Sequence, residues 1–318
     1  MTLTGIASRA IALCSFETDI NRAARALAVF RISLGLVILW QAIMTAWDLP
    51  LLVSEFGLMQ QPINEAMAPP FLPRLAWFHK LWDVGLVTEH QLIYILLGFY
   101  LICLFFLIAG WRARIFAAAS LFFHLLFKTS GAASSYGAHE LSTNGLFFCI
   151  LLPVSSYYTL GRRAPAVDVF AIRLGRFVLR SYLSIVYVSS GITKISGPAW
   201  RNGEAMWNFL MRPEVTIMNF GWLSHVPWLA VAMGWFTLIV EIGYFLCLFS
   251  VRARTVWFFG TLLLHLGIAV TLHLWFFSLT MIALNVGALG GFHWRWRRMR
   301  GGPAAETIES PKGEVQPA

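Results

Sequence analysis

Trp228-Leu-Ala-Val-Ala-Met-Gly-Trp-Phe-Thr-Leu-Ile-Val-Glu-Ile-Gly-Tyr-Phe-Leu-Cys-Leu-Phe-Ser250 carries one charge, Glu241, in 23 residues and ends at Val251-Arg-Ala-Arg254. A second apolar run, 254–271, follows directly. About 20 apolar residues cross the hydrocarbon of a bilayer as a helix. The stretch therefore reads as two spanning helices joined by a basic turn. The rest of the chain repeats the pattern: 58% of its residues are hydrophobic, 12% are charged, and the mean hydropathy is +0.69. A soluble domain carries about 25% charged residues. The expected fold is all-α, a polytopic integral membrane bundle.

Eight spans are expected, near 27–47, 91–110, 114–130, 142–160, 177–196, 228–250, 254–271 and 274–292. Six basic clusters separate or flank them: Arg9/Arg22/Arg25, Arg112/Arg114, Arg162/Arg163, Arg173/Arg176/Arg180, Arg252/Arg254 and Arg295/Arg297/Arg298/Arg300. With eight spans every cluster falls on one side. An excess of Lys and Arg marks that side as cytoplasmic, with both termini there. Residues 1–25 are expected to be a cytoplasmic or interfacial segment, 26–292 the transmembrane domain, and 293–318 a basic, then disordered, cytoplasmic tail. The apolar run 11–16 is too short for a signal peptide and meets Glu17 and Asp19.

The net charge of +9 sits in these topology-setting clusters, so nucleic acid is not an expected partner and membrane lipids are. Cys14, Cys103, Cys149 and Cys247 stand singly in the sequence, which excludes a disulfide framework or a cysteine metal site. No phosphate-binding glycine loop, Ser/His/Asp set or ATPase motif is present. On the outer face three longer connections, 48–90, 131–141 and 197–227, collect Asp48, Glu55, Glu65, Asp83, Glu89, Glu140, Glu204 and Glu214. The first is rich in Pro and Trp and reads as a structured lid or an interfacial element. The third, with Trp200, Trp207 and Trp222, reads as a re-entrant or surface segment.

The chemistry concentrates in Tyr187-Val-Ser-Ser-Gly-Ile-Thr-Lys194-Ile-Ser-Gly-Pro-Ala-Trp200. An amine inside a bilayer costs about 2.5 kcal/mol or more at the centre, so such residues usually serve a purpose. Burial disfavours the charged form, which makes Lys194 a candidate base; the plainer alternative is a lysine that snorkels to the interface. Ser190 and Tyr187 precede it by four and seven residues and share its helical stripe, and Gly191 admits a close neighbour. His124 and Lys128 share a face of the third span, and the next connection brings Tyr136, His139, Glu140 and Asn144. One outward-facing pocket is expected from Lys128, His139, Glu140, Asn144, Tyr187, Ser190 and Lys194, with Trp200 beside it. The competing expectation is that Glu140 simply pairs with Lys128 or Lys194. Arg31 and Glu241, judged to lie at similar depth, are expected to form a buried ion pair. His124 and His265 are the one candidate pair of haem or metal ligands, but each reads better as an interhelical hydrogen-bonder, and no metal site is expected.

Leu27-Ala-Val-Phe-Arg31-Ile-Ser-Leu-Gly35, the Tyr187–Lys194 element with Trp200 and Gly203-Glu-Ala, Glu241-Ile-Gly, and His265-Leu-Gly-Ile with Phe277-Ser278 together resemble the HTTM family. This is the membrane domain related to vitamin K-dependent gamma-carboxylase, and the likeness extends over about 25–292. It implies eight helices with an outward-facing site, and Lys194 in the place of the lysine that deprotonates vitamin K hydroquinone. His139 is the nearest match to the carboxylase's histidine before the fourth helix. A large lumenal domain follows the carboxylase's helices but not these, so carboxylation of a protein is not expected. The functional expectation is a membrane enzyme, in a bacterial inner membrane, acting on a lipid-soluble quinol or isoprenoid with Lys194 as general base and His139 assisting. The alternative is a non-catalytic lipid or small-molecule carrier, or an assembly partner. A thiol–disulfide oxidoreductase-like protein is one partner that the resemblance suggests.

Overall fold

Four of the long helices begin at a residue whose side chain satisfies a free N–H of the helix start. Asp19 accepts from the Arg22 N–H at the head of α1 (Ile20–Thr45). Thr88 and Gln91 form a reciprocal capping box at the head of α4 (Glu89–Ala109). Two short helices, α2 (Leu49–Val53) and α3 (Gln61–Met67), lie between them. Gly110, at φ 77°, ends α4 in a left-handed turn and starts the tight connection to α5 (Ala113–Ser130). Then come α6 (Gly137–Leu151), α7 (Val169–Ser196), capped by Asp168, and the short α8 (Glu204–Leu210). α9 (Pro227–Gly243) continues as a 3-10 turn, Tyr244–Leu248. Ser250 caps α10 (Val251–Leu272), and α11 (Trp275–Leu289) closes the order.

This computed structural model describes residues 19–78, 84–160, 167–214, 216 and 218–291. Residues 1–18 and the tail 293–318 lie outside the described residues, as do Arg9, Cys14, Asp83, Arg162, Arg163 and the basic run 295–300. Among the described residues the structure is helical without strands. Among the described residues four stretches are long and apolar enough to cross a membrane: Ile20–Thr45, Glu89–Ala109, Pro227–Leu248 and Val251–Leu272. α11 is apolar but shorter. α6, with 15 residues, is also short of the roughly 20 that a span needs. α5 and α7 carry polar groups along their length, His124 and Lys128 on one, Arg173, Arg176, Arg180 and Lys194 on the other. The expected run 142–160 is corrected in register: α6 starts at Gly137, and Leu152 turns extended because Pro153 follows.

α11 is the centre of the bundle and packs on α1, α6, α7 and α10. Gly287 presses against Phe30 there, and a Cβ at Gly287 would meet that ring's Cγ at 3.0 Å. Buried arginines tie the helix ends together. Arg31 donates to the carbonyls of Ile108 (3.3 Å), Val154 (3.0 Å) and Tyr158 (2.6 Å), joining α1 to the ends of α4 and α6. Arg176, on α7, donates to Ala288 O (2.8 Å) and Gly290 O (2.7 Å) at the end of α11. Ile108 and Ala288 lie in the last turns of their helices, and Val154, Tyr158 and Gly290 in the chain beyond helix ends, so a buried guanidinium fork satisfies several carbonyls that lack a helical partner. The expected Arg31–Glu241 pair is therefore absent. Arg31 is consumed by carbonyls at one end of the bundle, and Glu241 meets Lys194 instead.

The described part of the first long connection, 48–78, is held by hydrogen bonds to the end of α5 and the turn after it. Gln61 Nε2 donates to Val53 O (2.6 Å) and Ser130 O (3.3 Å), and the Leu75 N–H donates to Ser130 Oγ (2.8 Å). Thr129 donates to Pro73 O, and Asn64 Oδ1 accepts from the Ala133 N–H at 3.0 Å. The connection is thus fastened over the end of α5.

Candidate functional site

Lys194 sits in the last turn of α7, yet it is not at the surface of the bundle. Its side chain is 22% exposed and that of Glu241 is 9% exposed. After α7 the chain folds back along α9: Trp200 O lies where a Cβ on Gly234 would be, and Gly203, at φ 86°, packs on Val231. Glu241 is 14 residues after Pro227, about 21 Å along α9 at 1.5 Å per residue. The polar pair is therefore sunk beneath the fold-back segment and α8. Lys194 Nζ lies 2.5 Å from Glu241 Oε1, donates to Ser190 Oγ at 2.7 Å, and stands 5.0 Å from the centre of the Trp200 ring.

Gly191 makes this pairing possible. A Cβ there would stand 2.6 Å from Ile242 Cγ1 and 3.1 Å from the Ile242 backbone nitrogen, so only glycine lets α9 approach α7 at the level of Glu241. Gly191→Ala is expected to lower the unfolding midpoint in detergent, with about 1–3 kcal/mol of overpacking. Gly267→Ala, on α10 with open space around its Cβ, is the control and does not lower it.

These residues form the polar end of a cavity of about 600 Å³. Most of its wall is apolar, from Met206, Phe209 and Leu210 of α8, Phe236 of α9, Leu263 and Ile268 of α10, and Phe277 and Met281 of α11. Tyr187 and His265 complete the polar end. Behind them runs a buried chain of hydrogen bonds. The Tyr244 hydroxyl donates to Asn285 Oδ1 (2.9 Å), and Asn285 Nδ2 donates to both Met281 O (2.9 Å) and the Tyr187 hydroxyl (2.8 Å). The Met281 carbonyl can only accept, which fixes the amide orientation. Having accepted from Asn285, Tyr187 gives its own proton to His265 Nε2 at 2.7 Å. The neutral ring then carries its proton on Nδ1. His265 Nδ1 and Glu241 Oε2 are buried with no hydrogen-bond partner among the described residues. One cavity thus holds a spare donor on His265 beside the Glu241 carboxylate.

The single pocket expected from sequence is two cavities. The smaller, about 220 Å³, is lined by Gln41, Tyr100, His124, Lys128, Ser135, Tyr136 and His139, with Leu49, Leu52 and Val53 of α2. α11 is the partition: Phe276 faces the smaller cavity and Phe277 the larger. His139 therefore does not stand with Lys194. Lys128 pairs with Glu140 at 2.7 Å, as one of the two expectations had it. Asn144 faces neither cavity and donates to the Tyr182 hydroxyl (2.9 Å). His124 and His265 line different cavities, and each bonds a tyrosine, Tyr100 and Tyr187, so they are not brought together as metal ligands. Among the described residues no cluster of three metal-ligating side chains exists. His139 lies in the first turn of α6.

Sequence reading passed over Gln41, Tyr244 and the α8 wall. Gln41 had a signal, a lone amide in an otherwise apolar run. Tyr244 had none, since an aromatic in an apolar helix is ordinary core. No protein-family model, no curated protein and no solved structure matches this chain.

Proposed function

We propose that the chain is an HTTM-like integral membrane protein that takes a lipid-soluble ligand with an oxygen-bearing head, a quinol or similar isoprenoid, into the larger cavity. Lys194 then removes the proton of the ligand's hydroxyl. In this reading all eight long helices cross a bacterial plasma membrane, with both termini cytoplasmic. The gathering of Arg31, Arg176 and the carbonyl ends of α4, α6 and α11 supports that orientation.

The observation that carries the reading is the Lys194–Glu241 pair at the polar end of an apolar cavity. A volume of about 600 Å³ is that of a small-molecule site, and such sites use a few placed polar groups in apolar walls. As the ligand's head arrives, the Lys194 ammonium passes one proton across the ion pair to Glu241, and the amine so formed accepts the hydroxyl proton. The resulting anion stays beside the new ammonium, and His265 Nδ1–H donates to a second oxygen of the head. Tyr187 acts through His265, by fixing its tautomer. His139 takes no part.

A carrier is the second reading. The observation favouring it is that Glu241, Ser190 and Trp200 already engage the Lys194 ammonium, which then serves only as an anchor for a ligand head.

Mass spectrometry of lipids that co-purify in mild detergent tests the binding common to both readings. A quinone or isoprenoid enriched with the wild type and lost with Lys194→Ala is the expected result; bulk phospholipid alone with both proteins contradicts it. Lys194→Arg separates base from carrier, because arginine cannot serve as a neutral base. The base reading predicts that this variant holds the quinol without forming its anion, seen as loss of the red-shifted absorbance that the wild type gives.

A further inference from the structure

The smaller cavity has a chemistry of its own, and its donors outnumber its acceptors. The Tyr136 backbone N–H donates to His139 Nδ1 at 3.3 Å, so the neutral ring carries its proton on Nε2. The amide of Gln41 lies 3.1 Å from that Nε2 with its nitrogen toward it, while Gln41 Oε1 is buried without a partner. Turning the amide over satisfies both groups and directs its two N–H donors elsewhere. Gln41 is 6% exposed and lines the cavity. Ser135 Oγ is likewise buried and unpartnered. His124 adds nothing spare, because Nε2 meets the His139 carbonyl and Nδ1 meets the Tyr100 hydroxyl. The cation is Lys128, with a side chain 14% exposed, and no carboxylate lines the space. The start of α6, at Gly137, adds the partial positive charge of a helix N-terminus.

We propose that this cavity is a second ligand site, which binds the anionic oxygens of a phosphate-type group through Lys128, Gln41 and Ser135. Glu140 is the resident competitor. It holds Lys128 at 2.7 Å, but its own side chain is 62% exposed, so it can leave for water when an anion arrives. About 220 Å³ has ample room for a phosphate-sized group. The short helix α2 bounds the space with Leu49, Leu52 and Val53. The group arrives either as a free anion or as the head of a phospholipid. The site stands apart from the Lys194 cavity and does not depend on what that cavity binds.

The test uses the full chain in neutral detergent, with inorganic phosphate added against chloride at equal ionic strength. If the occupant is a free anion, phosphate raises the unfolding temperature saturably, and Lys128→Met and Gln41→Leu abolish the rise. Glu140→Gln, which removes the competitor, lowers the half-saturating concentration roughly threefold to tenfold. If the occupant is a lipid head, added phosphate gives no shift, and phosphorus that survives lipid-free washing is higher in the wild type than in Gln41→Leu. Either pattern supports the site. A phosphate response that both variants retain, or no phosphate response together with equal phosphorus in wild type and Gln41→Leu, overturns it.

Discussion

Lys194→Met lowers the unfolding stability by about 3–5 kcal/mol, Glu241→Leu by somewhat less, and the double variant regains most of the loss. Removing one partner of a buried ion pair leaves the other charged and desolvated, and that penalty is larger than the net value of the pair. The asymmetry follows from exposure. Glu241, at 9%, has nowhere to place a lone charge, whereas Lys194, at 22%, keeps Ser190 and the Trp200 ring. Replacing both by apolar side chains of similar volume removes two costs together. Unfolding midpoints of the four proteins in one detergent give the coupling energy. A double variant no more stable than Lys194→Met would mean that the two side chains do not form a unit.

Arg31→Leu is the second large loss, of several kcal/mol. The side chain is fully buried and donates to three carbonyls that close the ends of α4 and α6. Each hydrogen bond to a charged group contributes about 1.5–3 kcal/mol, and the carbonyls left behind have no water to turn to. Arg31→Lys does not rescue, since one ammonium cannot reproduce a planar fork over three acceptors. The effect is additive with Glu241→Leu, because the two residues share no contact. Hydrogen exchange in the 152–160 turn, compared between wild type and variant, locates the damage. Coupling of Arg31 to Glu241 above about 1 kcal/mol would instead restore the clasp expected from sequence.

The helical character of the chain was legible because apolar runs of 20 residues have few other solutions. The stripe of Tyr187, Ser190 and Lys194 was legible because residues four and seven apart share a face whatever surrounds them. The partner of Glu241 was not. Depth was judged by counting from helix ends, on the assumption that neighbouring helices end at one level. α7 ends far below the start of α9, and the chain at Trp200–Gly203 folds back along α9, which places Lys194 level with Glu241. The split of one expected pocket into two was hidden for a similar reason. The partition comes from Phe276 and Phe277, more than 80 residues further along the chain than Lys194, on a helix that sequence placed only as the eighth span. The role of Gln41 was hidden because a single amide in an apolar run does not announce which side chain it meets.

The central claim is that the Lys194–Glu241 end of the larger cavity receives the head of a membrane-borne ligand. Its most direct test is binding of a labelled naphthoquinol to the protein in nanodiscs, wild type against the Lys194→Met/Glu241→Leu double variant, with folding of both verified by unfolding midpoint. The account predicts saturable binding by the wild type and loss of at least tenfold in affinity for the double variant, about 1.4 kcal/mol or more. Equal affinity in two equally folded proteins would contradict it.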